Sequence, residues 1–335
     1  MNAKQALVRG LRSIAGIPGI SRLVAGYRGT PLIVGYHRVL PEDIWRQYPL
    51  AHPDIAVTRE RFREHMRFFA AHCTPISPDM LLERDLPPDA VLVSFDDFYA
   101  DVEEYALPVL EEYGIPAVVY TATSFPGKTA LLWWFGLDAA LRATDSLRLD
   151  IRGRTYSRNL TDDASRRRCY LELAQALHFL GEDEQREVLA MLGPEATRQP
   201  VNVLPDWDGV RRLAAHPLIT IGAHGCTHAA LSTLPEDHAL DELQTSRQAL
   251  DELLGQETRH FAYPFGGPDD AGEREYRLAA RAGFASAVTT VPGINRPETS
   301  RLALHRQVLL QAHDTAALRS LHAGWDGFLR SVRGR

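Results

Sequence analysis

Cysteine is scarce: Cys73, Cys169 and Cys226 are the 3 cysteines in 335 residues. Their odd number and the lack of any CxxC spacing exclude a disulfide framework or a zinc knuckle, and fit reduced thiols in the cytosol. No apolar run is long enough to span a bilayer. Residues 1–12 alternate apolar and basic types, without the uninterrupted core or small-residue cleavage site of a signal peptide. Basic residues form no long run, and 37 Lys+Arg against 43 Asp+Glu give a formal charge of -6, so no nucleic-acid partner is expected. No repeat or low-complexity tract occurs. What remains is a chain with 45% hydrophobic residues, enough to bury a large core in one big α/β domain or two ordinary ones. The expected location is cytoplasmic. Residues 1–30, with Arg9, Arg12 and Arg22, read as an amphipathic helical segment broken near Pro18. A peripheral helix over the core is the favoured reading, and docking at the inner face of an anionic membrane is the other. Nothing sets an oligomeric state.

The chain is organised around Val91-Leu-Val-Ser-Phe-Asp96-Asp97, a buried-strand pattern that ends in two carboxylates. Either acid could cap the next helix, or both could sit where α/β folds bind ligands, at the carboxyl end of a strand. Pro31 to His37 is a second such strand, and its terminal histidine reads by default as a hydrogen-bonded rim residue. Phe62, Met66, Phe69 and Ala70 describe an amphipathic helix over 58–71. A helix closed by Gly114 and a strand from Pro116 complete a βαβ unit, which sets the class as α/β. Residues 129–200 interrupt the alternation and read as a helical insertion, with one long charged helix from Asp163 to Leu192 and with Trp133 and Trp134 as anchors or a ligand surface. The α/β body then comprises 31–128 and 201–315, followed by a helix or tail over 316–335.

Pro217 to Ala223 is another apolar strand, and it runs into His224-Gly-Cys-Thr-His228. Two imidazoles four residues apart, with Gly225 loosening the loop between them, can converge on one cation. The HExxH arrangement is absent, because no glutamate follows the first histidine. Two histidines and one carboxylate make a catalytic type of metal set that leaves positions open for water and substrate. The second carboxylate is then free to act as a base.

Ser94-Phe-Asp-Asp97, His224-Gly-Cys-Thr-His228 and Phe261-Ala-Tyr-Pro-Phe-Gly266 together resemble the three leading motifs of the polysaccharide deacetylase (NodB-like) family, in order and over roughly residues 32–310. The resemblance implies a distorted, incomplete (β/α) barrel and a metallohydrolase that removes acetyl groups from N-acetylated sugars. By that similarity Asp97, His224 and His228 bind one divalent metal, with Zn2+ the first choice and Co2+, Ni2+ or Mn2+ as alternatives, while Asp96 is the general base. The backbone N–H of Phe265, in a loop shaped by Tyr263, Pro264 and Gly266, would face the oxyanion. For the general acid His37 is preferred to His305, since His305 follows the third motif too closely. Two positions depart from the pattern. Phe98 stands where the family usually has glycine, and Ala262 stands where many members carry an arginine that pairs with the catalytic aspartate, leaving Arg38, Arg259 or Arg306 to supply that charge. Cys226, between the histidines, reads as a packed thiol. Arg38 and Trp134 complete the candidates. The expected substrate is an amino sugar in a glycan or in lipid- or nucleotide-linked form; the alternatives are a deformylase on the same scaffold or a non-catalytic carbohydrate-binding relic.

Overall fold

The computed structural model describes residues 30–325 except 84, 199, 201 and 202. The amphipathic reading of the N-terminal segment therefore lies outside the described residues, as do residues 326–335. Among the described residues no helix is long and apolar enough to cross a membrane.

Twelve strands are described: β1 (Leu32–Tyr36), β2 (Arg38–Leu40), β3 (Ala56–Thr58), β4 (Thr74–Pro75), β5 (Ala90–Phe95), β6 (Ala117–Thr121), β7 (Ser146–Ile151), β8 (Arg154–Asn159), β9 (Ile219–Ala223), β10 (His260–Ala262), β11 (Ser286–Val288) and β12 (Gln307–Val308). Eight of them form one sheet in the order β11-β10-β9-β6-β5-β1-β12, with β4 added beside β5, and every pairing in it is parallel. A parallel bridge between Val288 and Leu304 brings the chain leading into β12 alongside β11. The two edges of the sheet therefore approach one another, in an incomplete barrel. Its strands read as unbroken apolar runs because both faces are covered. Val34, Val91, Val93, Phe95 and Val119 pack under the outer helices, whereas Ile33, Leu92, Val118 and Tyr120 fill the inside. Each such aliphatic or aromatic side chain contributes roughly 1.5–3 kcal/mol on burial. Parity then has a chemical consequence: along β5, Leu92, Ser94 and, just beyond its end, Asp96 share the inner side.

The covering helices are α1 (Arg59–His72), α2 (Leu107–Tyr113), α6 (Trp207–Ala214), α7 (Glu236–Leu254), α8 (Glu273–Arg281) and α9 (Thr315–His322); α3 to α5 belong to the insertion. Thr58 caps α1 by accepting from Arg61 N–H. The buried stripe of α1 is Phe62, His65, Met66, Phe68 and Phe69, and Ala70, expected on it, is exposed because it lies at the stripe's edge. Neither Asp96 nor Asp97 caps the following helix: a π-helical turn, Val102–Ala106, begins at Asp101 and leads into α2.

The insertion differs from its expected form in two respects. It contains α3 (Trp133–Arg142), α4 (Asp163–His178) and α5 (Glu182–Leu192), but it also carries the antiparallel hairpin β7-β8. The single long helix expected over 163–192 is two, because the chain leaves helical geometry after His178 and Gly181, extended at ψ 159, starts α5. Leu137, Leu141, Tyr156, Leu173 and Leu189 give the insertion a core of its own, continuous with Tyr99 and Phe125 of the barrel rim. Asp138 ties α3 to the barrel by accepting from Leu50 N–H and Ala51 N–H at 2.6 and 2.8 Å.

Candidate metal centre and active site

Five segments meet at the carboxyl ends of the parallel strands. Asp96 and Asp97 follow β5, His37 follows β1, His224 and His228 follow β9, the Pro264–Gly266 loop follows β10, and Arg306 precedes β12. The backbone there is contorted: Asp97 (φ 70), Phe98 (φ 53), His228 (φ 62) and Phe265 (φ 60) are all left-handed without being glycine. Such conformations cost on the order of 1–3 kcal/mol each and collect at functional sites. They also explain the glycine usual at position 98. Phe98 adopts that glycine geometry while its ring is wholly buried in the core.

Asp97, His224 and His228 converge, with one ligand atom from each lying within 4.8 Å of the others. Asp97 Oδ1 is 3.1 Å from His228 Nε2 and 3.5 Å from His224 Nε2, yet it is buried without a hydrogen-bond partner. His224 Nδ1 lies 2.7 Å from Ala262 O and must donate to it, which turns Nε2 toward Asp97. A bare acceptor oxygen and two oriented imidazoles fit a divalent cation, and borderline zinc suits that donor set. The electrostatics agree. Burial acts to raise Asp97, but His228 and His224 hold it well below the carboxylate range. Burial acts to lower His224, and Asp97 and Asp96 raise it nonetheless. The pocket attracts positive charge, and cation binding displaces protons from it. Cys226 stays out of the ligand set: its thiol approaches Glu242 O at 3.5 Å, and burial raises it to about 11.

Glu242, on α7, was not marked by the sequence, although it holds the metal loop. Its carboxylate accepts from Cys226 N–H (2.7 Å), Thr227 N–H (3.0 Å) and Thr227 Oγ1 (2.9 Å). Charge-assisted bonds of this kind fix a backbone that Gly225 otherwise leaves loose. A helical carboxylate beside a polar loop carries no pattern visible in sequence.

Of the three arginines considered for Asp96, the partner is Arg306. Its two terminal nitrogens meet the two oxygens of Asp96 at 2.6 Å each, and Nη1 also donates to Ser94 Oγ. Gly35 leaves room for this side chain, since a Cβ there would sit 3.1 Å from Arg306 Cδ. Burial acts to raise Asp96, but Arg306, His224 and His37 more than offset it and keep it ionised. Arg38 instead donates to Asp101 at 2.7 Å and lies 3.1 Å from His52, and Arg259 pairs with Asp79 at the opposite end of the strands.

His37 Nε2 is 3.9 Å from Asp96 Oδ2, its side chain is 20% exposed, and Nδ1 has no hydrogen-bond partner. Burial is the main reason its pKa lies below the usual histidine value. His305 is not brought to Asp96: its backbone bonds Asn295 on both sides and its ring lies against Gly293. Tyr263 anchors the third-motif loop, its hydroxyl donating to Leu302 O and its N–H to Val288 O. Phe265 packs edge-on to His228 at 4.8 Å and is stacked at 3.8 Å by His178 of the insertion, which bonds Asp270 at 2.5 Å. Among the described residues no acceptor meets the Phe265 N–H. Trp134 borders the centre too, with its ring 5.8 Å from that of His228.

The chain is 22% identical over 258 residues to a putative polysaccharide deacetylase, YxkH, of Bacillus subtilis, covering 75% of this chain and 65% of that one. In fold it is similar to the Streptococcus pyogenes deacetylase PplD (19% identity, TM-score 0.53, 87% of this chain and 97% of that one). It is similarly close to a de-N-acetylase from Aggregatibacter actinomycetemcomitans (14%, 0.56, 87% and 98%) and to IcaB from Ammonifex degensii (18%, 0.54, 87% and 96%). The family model for polysaccharide deacetylase matches residues 83–285, which hold both aspartates, both histidines and the third-motif loop, while His37 and Arg306 flank the match on either side. With the motifs, the parallel half-barrel and the family match all in agreement, this chain belongs to the polysaccharide deacetylase family.

Proposed function

We propose that the protein is a metal-dependent hydrolase that removes the N-acetyl group from an amino sugar in a glycan or in a lipid- or nucleotide-linked saccharide, acting in the cytoplasm. The observation that carries the reading is the bare Asp97 oxygen facing two imidazoles beside a separate, arginine-held Asp96. A divalent cation held by Asp97, His224 and His228, zinc first among the candidates, would supply Lewis acidity to an acetamide carbonyl and lower the pKa of water.

The residues divide the remaining work. Asp96, ionised and fixed by Arg306, accepts a proton from the water that attacks the acetyl carbon. The Phe265 N–H, held in place by Pro264 and Gly266, offers a donor to the oxygen that gains negative charge. His37, 3.9 Å from Asp96, takes on the proton that Asp96 drew from the water, and its depressed pKa makes it a ready donor of that proton to the amine nitrogen as the C–N bond breaks. Acetate and a free amino sugar result.

The test is acetate release from N-acetylated oligosaccharides by the zinc-loaded protein and by Asp96→Asn. Loss in the variant with metal content unchanged supports the assignment, and undiminished release removes Asp96 from it. A formyl analogue cleaved faster than acetyl would move the reading to a deformylase.

A further inference from the structure

Two polar groups at the metal centre remain unused by this chemistry. Tyr99 is fully buried, two residues beyond the ligand Asp97, and its hydroxyl has no hydrogen-bond partner. Trp134, on α3 of the insertion, is 8% exposed, and its indole N–H has none either. The two frame one wall of the centre. Trp134 lies 5.8 Å from His228 and 6.1 Å from Phe135; Tyr99 lies 6.3 Å from Phe135 and 6.3 Å from Phe125, which is itself 5.8 Å from His228. The indole lies toward the Tyr99 hydroxyl but outside hydrogen-bond geometry. Burial first, and then the Asp97 charge, keep Tyr99 in its hydroxyl form. Arg38 stacks 4.8 Å from the Tyr99 ring but is engaged by Asp101 and His52.

Buried donors without partners are uncommon and destabilising, so a pair of them beside a metal centre requires an explanation. Indole can only donate, whereas a phenol donates or accepts. One oxygen with two lone pairs satisfies both, and a sugar hydroxyl is such an oxygen. Trp134 keeps 8% of its surface exposed, and an indole edge suits the C–H surface of a sugar ring.

We propose that Tyr99 and Trp134 form a saccharide subsite on the insertion side of the centre, where one sugar hydroxyl accepts from the indole N–H and hydrogen-bonds the Tyr99 hydroxyl. The proposal rests on the deacetylase reading. It also gives the insertion a part in substrate choice, since α3 brings Trp134 to the barrel.

The test uses the zinc-loaded full chain carrying Asp96→Asn, titrated calorimetrically with tetramers of N-acetylglucosamine in β-1,4 and β-1,6 linkage. Tyr99→Phe and Trp134→Phe should each weaken binding about tenfold, the size of one lost hydrogen bond to a desolvated group. The double variant should lose more than either single one, with a departure from simple additivity because both groups serve the same oxygen. Without ligand, the melting temperature of Tyr99→Phe should equal or exceed that of the parent, since an unsatisfied hydroxyl has been removed. Trp133→Phe, the neighbouring indole, should bind as the parent does. Unchanged affinity in both variants, a lowered melting point in Tyr99→Phe, or zinc lost from either variant would each overturn the subsite. If the zinc-loaded parent binds neither tetramer, the glycan form of the deacetylase reading fails and the subsite with it; parent binding that the variants leave intact sinks the subsite alone.

Discussion

Both ends of the barrel strands place histidine against aspartate, and the two ends differ in what is left over. At the amino end, His260 Nδ1 meets Ser286 Oγ at 2.9 Å, its Nε2 meets Asp79 at 3.3 Å, and Arg259 completes the cluster at 2.8 Å from Asp79. Every atom of that imidazole that can hydrogen-bond does so. At the carboxyl end, Asp97 Oδ1, His37 Nδ1, Tyr99 Oη and Trp134 Nε1 are buried without partners. In these two clusters the saturated histidine belongs to the group that holds the fold together. The vacant capacity beside strained backbone and a bidentate arginine belongs to the group open to a ligand.

The contrast can be tested most severely at the metal ligands. Asp97→Ala and His228→Ala should take metal content from about one ion per chain to none and lower acetate release about a thousandfold, equivalent to about 4 kcal/mol. Metal analysis and an acetate assay read the two effects, and retained metal would show the pair to be no different from the amino end. Next in size is Arg306→Met, which strands the buried Asp96 carboxylate. Urea denaturation should show a loss of about 3–5 kcal/mol, and an unchanged midpoint would mean that Asp96 does not depend on the pairing.

Saturated histidines of the core predict a pH effect of intermediate size. Burial is the chief cause that lowers His65 to about 4 and His52 to about 3. Both folded values lie below the unfolded value of about 6.5, so the unfolded chain takes up protons that the native one refuses. Stability is therefore full above pH 6.5 and falls on acidification, through about pH 4 for His65 and about pH 3 for His52. The His65 share is at most about 3 kcal/mol. Melting curves should show it flattened in His65→Gln, and an identical pH slope in that variant would refute the assignment. The smallest effect belongs to the amino end. Asp79→Asn and His260→Asn should cost about 1 kcal/mol or less and leave metal and acetate release unaltered. A loss of metal there would erase the contrast between the two ends.

The strands and their polar ends were legible in the sequence because burial on both faces writes unbroken apolar runs, and a charge at the end of such a run stands out. Asp96, Asp97, His224 and His228 were visible for that reason. Arg306 was no more than one of three candidates, since its partner is 210 residues away and its strand is two residues long. The β7-β8 hairpin could have been found: Leu147, Leu149 and Ile151 alternate with Ser146, Arg148 and Asp150, and Arg152-Gly153, both at positive φ, makes the turn. The helical periodicity on either side of it masked that alternation. Trp134 was already a candidate, as an anchor or a ligand surface, whereas Tyr99 was unmarked, because a missing hydrogen bond is a property of three dimensions and leaves no trace in residue order.

The Arg306–Asp96 pair also sets a schedule for biosynthesis. A ribosome adding about 5–20 residues per second needs roughly 10–40 seconds to cover the 210 residues between them. Throughout that interval the emerging chain has β5 and its terminal acids but not the guanidinium that pairs with Asp96. Closing the barrel before Arg306 emerges would bury a carboxylate without its partner, a cost that favours an open nascent chain until then. The pair that fixes Asp96 is thus completed only by the segment at β12, the last strand among the described residues.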